Sequence, residues 1–348
     1  MSRRDPAVWL SGLVAKGMVT AASAVVATPS GLVWSGTAGE ERPGVPATIE
    51  TRFDLASETK VFAATLALVL DASRELPLQT PVGEIFPAAV PALARRPLED
   101  LLRHRSGLAA WTPLSLFCRS RNDVLDLLLS ERFRGPQREV YSDLGNILWA
   151  FAAEAAIGRS YADLLAERVL RPLDLASVVP SPGDLPGVAA SEMDGAKEVE
   201  LARDLGFELP LPPAPAPGEP QDGNARFLRS LGISLPGHAG LFGCVTDVVR
   251  FGLEWLAPGR LLAPDQVAKA LSGGRGYGLG WTRRSVRGSS GPALSRAAFG
   301  LTGFAGASLW IDPAKQAVFL LLSHRRHGLV NFNPHRRRFH ALGAKTLV

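Results

Sequence analysis

The sequence predicts an α/β protein of the α+β type: an antiparallel sheet built from both ends of the chain, flanked by helices, with a mainly helical insertion. Three observations predict it. Strand-like runs of valine and small residues lie near the start, at Ala21 to Ala27 and Gly31 to Ser35. Two more lie near the end, at Ala307 to Ile311 and Ala317 to Ser323. Between them the chain reads mainly as helices broken by loops, an order that segregates strands from helices instead of alternating them. The expected division is 1–75 with 240–348 for the sheet part and 76–239 for the helical part.

Taken in order, Ala7 to Lys16 reads as a helix. Asp5 and Lys16 interrupt the apolar stretch that follows Met1-Ser2-Arg3-Arg4, so it is not read as a signal peptide. Thr28-Pro29-Ser30-Gly31 has turn chemistry and makes the first two strands a hairpin. From Ser57 to about Ser73 a helix carries Val61, Phe62, Ala64, Leu66, Leu68, Val69 and Leu70 over nearly every face, the pattern of a buried helix. Leu98 to Arg103, Asn122 to Ser130, Leu144 to Ile157 and Tyr161 to Leu170 follow as helices. Prolines from Pro210 to Pro220 stiffen a non-helical segment, and long segments of that kind tend to border a site. The helix Thr246 to Trp255 precedes the returning strands, which Asp312-Pro313-Ala314-Lys315-Gln316 joins as a hairpin.

The chain has 348 residues, 46% of them hydrophobic, which excludes a mostly disordered protein and provides for a sizeable core. Its net charge of +5 is mild, because 33 acids are interspersed with 38 bases. Much of the excess lies from His324 to His327 and from His335 to Arg338, read as a solvated helix face. No nucleic-acid signature accompanies it, so no nucleic-acid partner is expected. No apolar run reaches the ~18–20 residues that span a bilayer, so no membrane insertion is expected and the cytoplasm is the default location. Cys118 and Cys244 form neither a disulfide framework nor a zinc spacing and read as small buried thiols. His324, His327, His335 and His340 lack the His-Glu-x-x-His pattern and read as solvated. No metal and no cofactor is expected; the expected partner is a small-molecule substrate.

Three segments carry chemistry. In Ser57-Glu58-Thr59-Lys60, Ser57 and Lys60 share one face of a helix that starts at Ser57. A serine hydroxyl is a weak nucleophile until a base takes its proton, and a lysine serves only if burial or positive charge lowers its pKa. Ser57 also sits at the positive end of the helix dipole; an N-cap serine fits the same four residues. In Tyr141-Ser142-Asp143, ahead of the next helix, a tyrosine can shuttle a proton if its hydroxyl meets a lysine ammonium, and a half-buried tyrosine with a capping residue fits equally. In Gly300-Leu301-Thr302-Gly303-Phe304-Ala305-Gly306, opening a strand, glycines let a substrate lie against backbone whose N–H groups bind an oxyanion; a bulge or tight turn is the alternative.

Together, in this order, the three segments resemble the serine β-lactamase and penicillin-binding-protein superfamily, in its class C-like branch with esterases and D-aminopeptidases. The resemblance runs from about Val8 to Leu322. Phe53 to Lys60 resembles the family's nucleophile segment, and Leu101-Leu102-Arg103-His104-Arg105-Ser106-Gly107-Leu108 its Leu-Leu-x-His-x-Ser-Gly-Leu stretch. Tyr141-Ser142-Asp143-Leu144-Gly145 is similar to its Tyr-Ser-Asn element, and His238-Ala239-Gly240-Leu241-Phe242 also recurs in this branch. The resemblance implies the β-lactamase-like fold and an acyl-enzyme on Ser57. It implies proton movement by Lys60 and Tyr141, with the choice of acylation base open between them. It also implies an oxyanion hole from the N–H groups of Ser57 and Phe304, with Thr302 lining the strand side of the pocket.

Two departures shape the substrate expectation. Leu301 stands where the family's third motif usually begins with Lys or His, and the missing cation favours neutral esters or amides over carboxylate-bearing substrates. Arg275 or a C-terminal arginine are the groups that would replace it. Asp143 stands in place of Asn; ionised, it holds Lys60 charged and weakens it as a base, or else it replaces part of the missing electrostatic scaffold. No Gly-x-Ser-x-Gly elbow is present, which argues against an α/β-hydrolase, so His104 and His238 read as scaffold, with His238 the nearer to the cleft. Asp222-Gly223-Asn224 reads as a pocket wall or a plain turn. The expected activity is that of an esterase or amidase on a small neutral acyl substrate. β-Lactam or D-alanyl peptide hydrolysis, acyl transfer and a catalytically silent binding protein on the same scaffold are the alternatives.

Overall fold

A computed structural model describes residues 5–136 and 138–347. Met1 to Arg4, on which the signal-peptide reading touched, lie outside the described residues. Ten strands occur among them: β1 Val19–Thr28, β2 Gly31–Arg42, β3 Val45–Pro46, β4 Phe53–Asp54, β5 Val179–Pro180, β6 Leu241–Gly243, β7 Thr282–Arg283, β8 Phe299–Thr302, β9 Ser308–Asp312 and β10 Ala317–Arg325. Seven form one antiparallel sheet in the order β3-β2-β1-β10-β9-β8-β7, and β4-β6-β5 form a small second one. The first and last strands of the large sheet in sequence are neighbours at its centre, with Ala22 opposite Ser323 and Val26 opposite Phe319.

β1 and β10 are buried nearly throughout because both faces of the sheet are covered. Ala22, Ala24, Val26, Phe319 and Leu321 face a layer that holds Leu10, Leu13 and Phe339, from the helices Pro6–Ala15 and Asn333–Gly343. Their alternates Ala21, Val25, Val318, Leu320 and Leu322 face the larger core, with Phe251 from the helix Val245–Leu256 and Phe62 from the helix Thr59–Ala72. Successive side chains of a strand point to opposite faces, so a doubly covered strand reads as a continuous apolar run. The expected helix 57–73 is a 3-10 turn, Ala56–Glu58, running into Thr59–Ala72, buried on all but a few positions. Cys118 and Cys244 are buried free thiols. No described helix is long and apolar enough to cross a membrane.

Three expectations need correction. The segment from Gly300 does not open a strand: β8 ends at Thr302, and Gly303 to Gly306 turn the chain toward β9. Pairing Gly300 to Trp310 and Thr302 to Ser308 extends the ladder back to Phe299. The basic C-terminal run is solvated only in part: Arg326, His327 and Arg338 are exposed, and other basic residues there are not. His324 and Arg325 end the central strand β10, and Arg336 and His340 point inward from the last helix; all four are buried. Buried imidazoles shed their charge: burial pushes His324 and His340 down to about 4, so both are neutral near pH 7. Asp222 is neither a cleft wall nor a plain turn, but the N-cap of the helix Gly223–Ser230, accepting the Ala225 N–H at 2.8 Å.

Candidate active site

Ser57 stands at the head of the buried helix because two local devices put it there. Asp54, fully buried, accepts the N–H of Ala56 at 2.7 Å on one oxygen and that of Gln221 at 2.7 Å on the other. Ala56 takes a φ of +47°, a left-handed conformation costing a non-glycine residue about 1–2 kcal/mol, and this kink breaks the line of β4 just before Ser57. Ala56, Glu58, Thr59 and Lys60 are buried, while Ser57 keeps partial access to solvent.

One turn on, the Lys60 ammonium lies 3.0 Å from Ser57 Oγ, 2.9 Å from the His238 carbonyl and 2.7 Å from Asp143 Oδ1. It is also 5.0 Å from the centre of the Tyr141 ring. Burial opposes its charge, but the Asp143 carboxylate, and after it Tyr141, outweigh that and hold Lys60 above the ordinary lysine range. The lowered lysine pKa that a resting general base needs is therefore not found. Three N–H bonds meet three acceptors, and an ammonium has no lone pair to take a proton.

Tyr141 precedes the helix Asp143–Ile157, which Ser142 caps by accepting the Gly145 N–H at 3.1 Å. Its hydroxyl lies within the electrostatic reach of both Ser57 and Lys60. Loss of water raises it above the ordinary tyrosine value, Lys60 draws it back and Asp143 pushes it up. His104 supports this corner. It takes a φ of +59°, accepts the Ser142 N–H at 3.1 Å and packs its ring 4.6 Å from that of Tyr141. Burial and the Lys60 charge push it down to about 3, so it is a neutral scaffold group. His238 reaches the site through its backbone carbonyl; its ring points away, 2.9 Å from Asp222 Oδ1. Burial works against the Asp222 charge, yet His238 holds its carboxyl down at about 2.

Ser57 and Tyr141 open onto a cleft of about 490 Å³, whose strand side is Leu301, Thr302, Gly303 and Phe304. Gly303 presses against the nucleophile turn: a Cβ there would lie 2.6 Å from the Leu55 carbonyl and 3.2 Å from Ala56 Cβ. The backbone N–H groups of Ser57 and Phe304 have no acceptor among the described residues, as a pair awaiting an oxyanion requires. The structure thus brings together Ser57, Lys60, Tyr141, Asp143, Leu301, Thr302, Gly303, Phe304 and the His238 carbonyl. Lys60, Asp143 and His238 lie behind the cleft wall. Arg275 is exposed and away from the cleft.

Two arginines of the C-terminal part, which the sequence reading left without numbers as possible replacement cations, line the cleft: Arg325 and Arg336. Arg325 lies 4.8 Å over the Phe304 ring and donates to the Gly328 carbonyl; Arg336 donates to the Gly303 carbonyl at 2.6 Å and to Asn333 at 3.0 Å. Burial pushes them down to about 10 and about 9, leaving both charged at neutral pH. Among the described residues neither meets a carboxylate within ion-pair distance. Strand register is the signal that would have found Arg325, since it continues the doubly buried β10. No group of side chains that would hold a metal occurs among the described residues.

An antiparallel sheet flanked by helices, with a serine–lysine–tyrosine cluster at a cleft between sheet edge and helices, defines a class, and comparison with known proteins identifies it. The family model described as Beta-lactamase matches residues 9–343, so the chain belongs to the beta-lactamase family and is a hydrolase of that family. It is 27% identical over 323 residues to the N-acetylmuramyl-L-alanine amidase of Bacillus subtilis (strain 168), covering 83% of this chain and 72% of that one. It is 26% identical over 331 residues to an Escherichia coli (strain K12) protein provisionally named a D-alanyl-D-alanine carboxypeptidase, with the same coverage of both chains. In architecture it is similar to a class C beta lactamase from Rhodobacter sphaeroides, with a TM-score of 0.74, 18% identity and 98% of each chain covered.

Proposed function

We propose that the protein is a serine amidohydrolase that works through an acyl-enzyme on Ser57, on a small substrate carrying a carboxylate that Arg325 receives. The observation behind it is the contact of Ser57 Oγ with the Lys60 ammonium, within reach of the Tyr141 hydroxyl, at the floor of the cleft. Since Lys60 is a fully bonded ammonium, Tyr141 in its phenolate form is the base, and Lys60 stabilises that phenolate. Oγ bonds to the carbonyl carbon as its proton passes to Tyr141. The oxyanion rests on the N–H groups of Ser57 and Phe304, with Thr302 beside it. Tyr141 then gives the proton to the departing nitrogen and the C–N bond breaks. Water attacks the acyl ester by the same route, its proton going to Tyr141 and on to Ser57 Oγ as the acid leaves.

The substrate reading moves from neutral to anionic because of Arg325. Leu301 leaves the strand without its cation, but Arg325 brings a guanidinium to the same cleft beside Phe304. A desolvated guanidinium without a carboxylate partner is costly, and a substrate carboxylate relieves it through charged hydrogen bonds. The names of the two curated relatives both place an amide bond at an alanine, whose release exposes a carboxylate next to the departing nitrogen in the D-alanyl-D-alanine case.

The test is labelling with a fluorophosphonate probe, followed by turnover of N-acyl-D-alanyl-D-alanine, its C-terminal amide, p-nitrophenyl acetate and nitrocefin, each with Ser57→Ala in parallel. We expect labelling at Ser57, with the free-carboxylate peptide hydrolysed at least ten times faster than its amide, and loss of both activities in the variant. Faster turnover of the neutral ester or amide restores the neutral-substrate reading, and nitrocefin turnover alone makes the protein a β-lactamase. An unlabelled wild type is a silent binding protein.

A further inference from the structure

The Gly303–Phe304 peptide is held in an unusual way. Its carbonyl oxygen accepts two hydrogen bonds, from the Gly306 N–H at 3.1 Å and from Arg336 Nη2 at 2.6 Å. The preceding N–H, on Gly303, is fixed to the Ala307 carbonyl at 3.0 Å. The N–H on the other side of the same peptide, that of Phe304, is left without an acceptor and borders the cleft that Ser57 opens onto. Arg336 is 5% exposed, comes from the last helix far along the chain, hydrogen-bonds besides to the Asn333 side chain, lies over the face of the Phe332 ring, and feels the buried Glu58 carboxyl without an ion-pair contact to it. A buried guanidinium directed at one backbone carbonyl is an expensive device for joining a helix to a turn, which apolar packing or a neutral donor accomplishes at lower cost.

We infer that Arg336 is a positioning residue for the oxyanion hole, fixing and polarising the Gly303–Phe304 peptide so that the Phe304 N–H points at the reacting carbonyl. In a trans peptide the C=O and N–H lie antiparallel in one plane, so anchoring the oxygen from behind fixes the direction of the hydrogen in front. A charged donor on the oxygen also draws electron density along the amide and strengthens its N–H as a donor, as hydrogen bonds in series polarise one another. The turn cannot fix this plane unaided: Gly303 and Gly306 have no side chains to wedge it, and the Gly306 bond alone leaves it free to tilt. Arg336 thus acts through the peptide and touches no reacting atom. This rests on the serine-hydrolase reading given above, and the test separates the two.

The experiment compares wild type, Arg336→Lys and Arg336→Met on p-nitrophenyl acetate, a neutral substrate with no carboxylate for an arginine to bind, and on N-acyl-D-alanyl-D-alanine. Folding is checked by circular dichroism, and affinity for a neutral alkylboronic acid, which forms a tetrahedral adduct on serine, is measured by calorimetry. Loss of one oxyanion donor lowers kcat by about 10²–10³, and misaiming it lowers kcat by about 10². We expect Arg336→Met to lose about that much kcat on both substrates with KM within three-fold, and to weaken boronic acid binding in parallel. Arg336→Lys, keeping the charge, should recover at least ten-fold of it. A KM increase confined to the carboxylate-bearing substrate with kcat unchanged makes Arg336 a substrate contact and overturns the inference. So does full activity per folded molecule in Arg336→Met. Failure of the wild type to react with fluorophosphonate at Ser57 is a different result: it removes the hydrolase reading and this inference with it.

Discussion

One buried ammonium beside Ser57 faces a hydroxyl, a carbonyl and a carboxylate at once. Asp143 is the residue that tips the balance, because its charge favours the protonated form of both Lys60 and Tyr141. With Tyr141 as the base, kcat/KM follows the phenolate, so it should still be climbing as pH passes the ordinary tyrosine value of about 10. Asp143→Asn removes the charge that raises Tyr141, so the alkaline limb should move to lower pH, by about one unit for a charge at this range. Steady-state rates from pH 7 to 10.5 check it; an unmoved limb would make Tyr141 the wrong base. The same change leaves Lys60 with a neutral acceptor in place of an ion pair, at a cost of about 1–3 kcal/mol of stability, read from urea denaturation.

The turn that carries Ser57 and the end of β8 approach closely at Gly303. Gly303→Ala must push the two apart, since no rotamer relieves a Cβ placed 2.6 Å from the Leu55 carbonyl. An over-packed contact of this kind costs about 1–3 kcal/mol, measurable by urea denaturation, and separating the two oxyanion donors should lower kcat far more than KM. Normal kinetics in this variant would show that the Phe304 N–H is not a donor. These elements also show what a sequence displays. Ser57, Lys60 and Tyr141 were legible because spacing on one helix and a motif ahead of another are local properties. The hairpins were legible because turn residues lie between runs of valine and alanine. The end of β8 was misplaced because the glycine-rich segment from Gly300 read as the opening of a strand, whereas Gly300 pairs inside the ladder and Gly303 begins the turn and serves the close approach. Arg325 and Arg336 read as solvent-facing because their burial depends on Phe304, Phe332 and the cleft, parts of the chain that meet only in the folded molecule.

Across the whole molecule, buried titratable groups oppose one another. Burial lowers His104, His324 and His340 to about 3 to 4, and lowers the half-buried His335 as well, so at these groups the unfolded chain binds more protons than the native one below about pH 6.5. Asp54 and Glu198 are pushed up to about 6 and about 7 by burial, and Glu58 well above its ordinary value, so at these carboxyls the native chain binds more protons than the unfolded one above about pH 4.5. Between these limits the four histidines oppose the three carboxyls. Stability should be nearly flat from about pH 4.5 to 6, and should fall below that window as the unfolded carboxylates also take up protons. Urea midpoints across this range check it. His324→Gln removes one histidine from the balance, so its slope of stability against pH through the same window should be shifted toward decline relative to the wild type; a steep slope in the wild type would contradict the burial of these seven groups.

The central pairing of β1 with β10 joins segments roughly 300 positions apart in the chain. During translation, therefore, Ser57 and Lys60 emerge from the ribosome while the strand that completes their sheet has yet to be made. Until then β1 presents an unpaired, apolar edge, the kind of surface to which nascent chains aggregate and chaperones bind. Slow closure of so distant a contact makes synthesis of β10 the step on which assembly of the cleft around Ser57 waits.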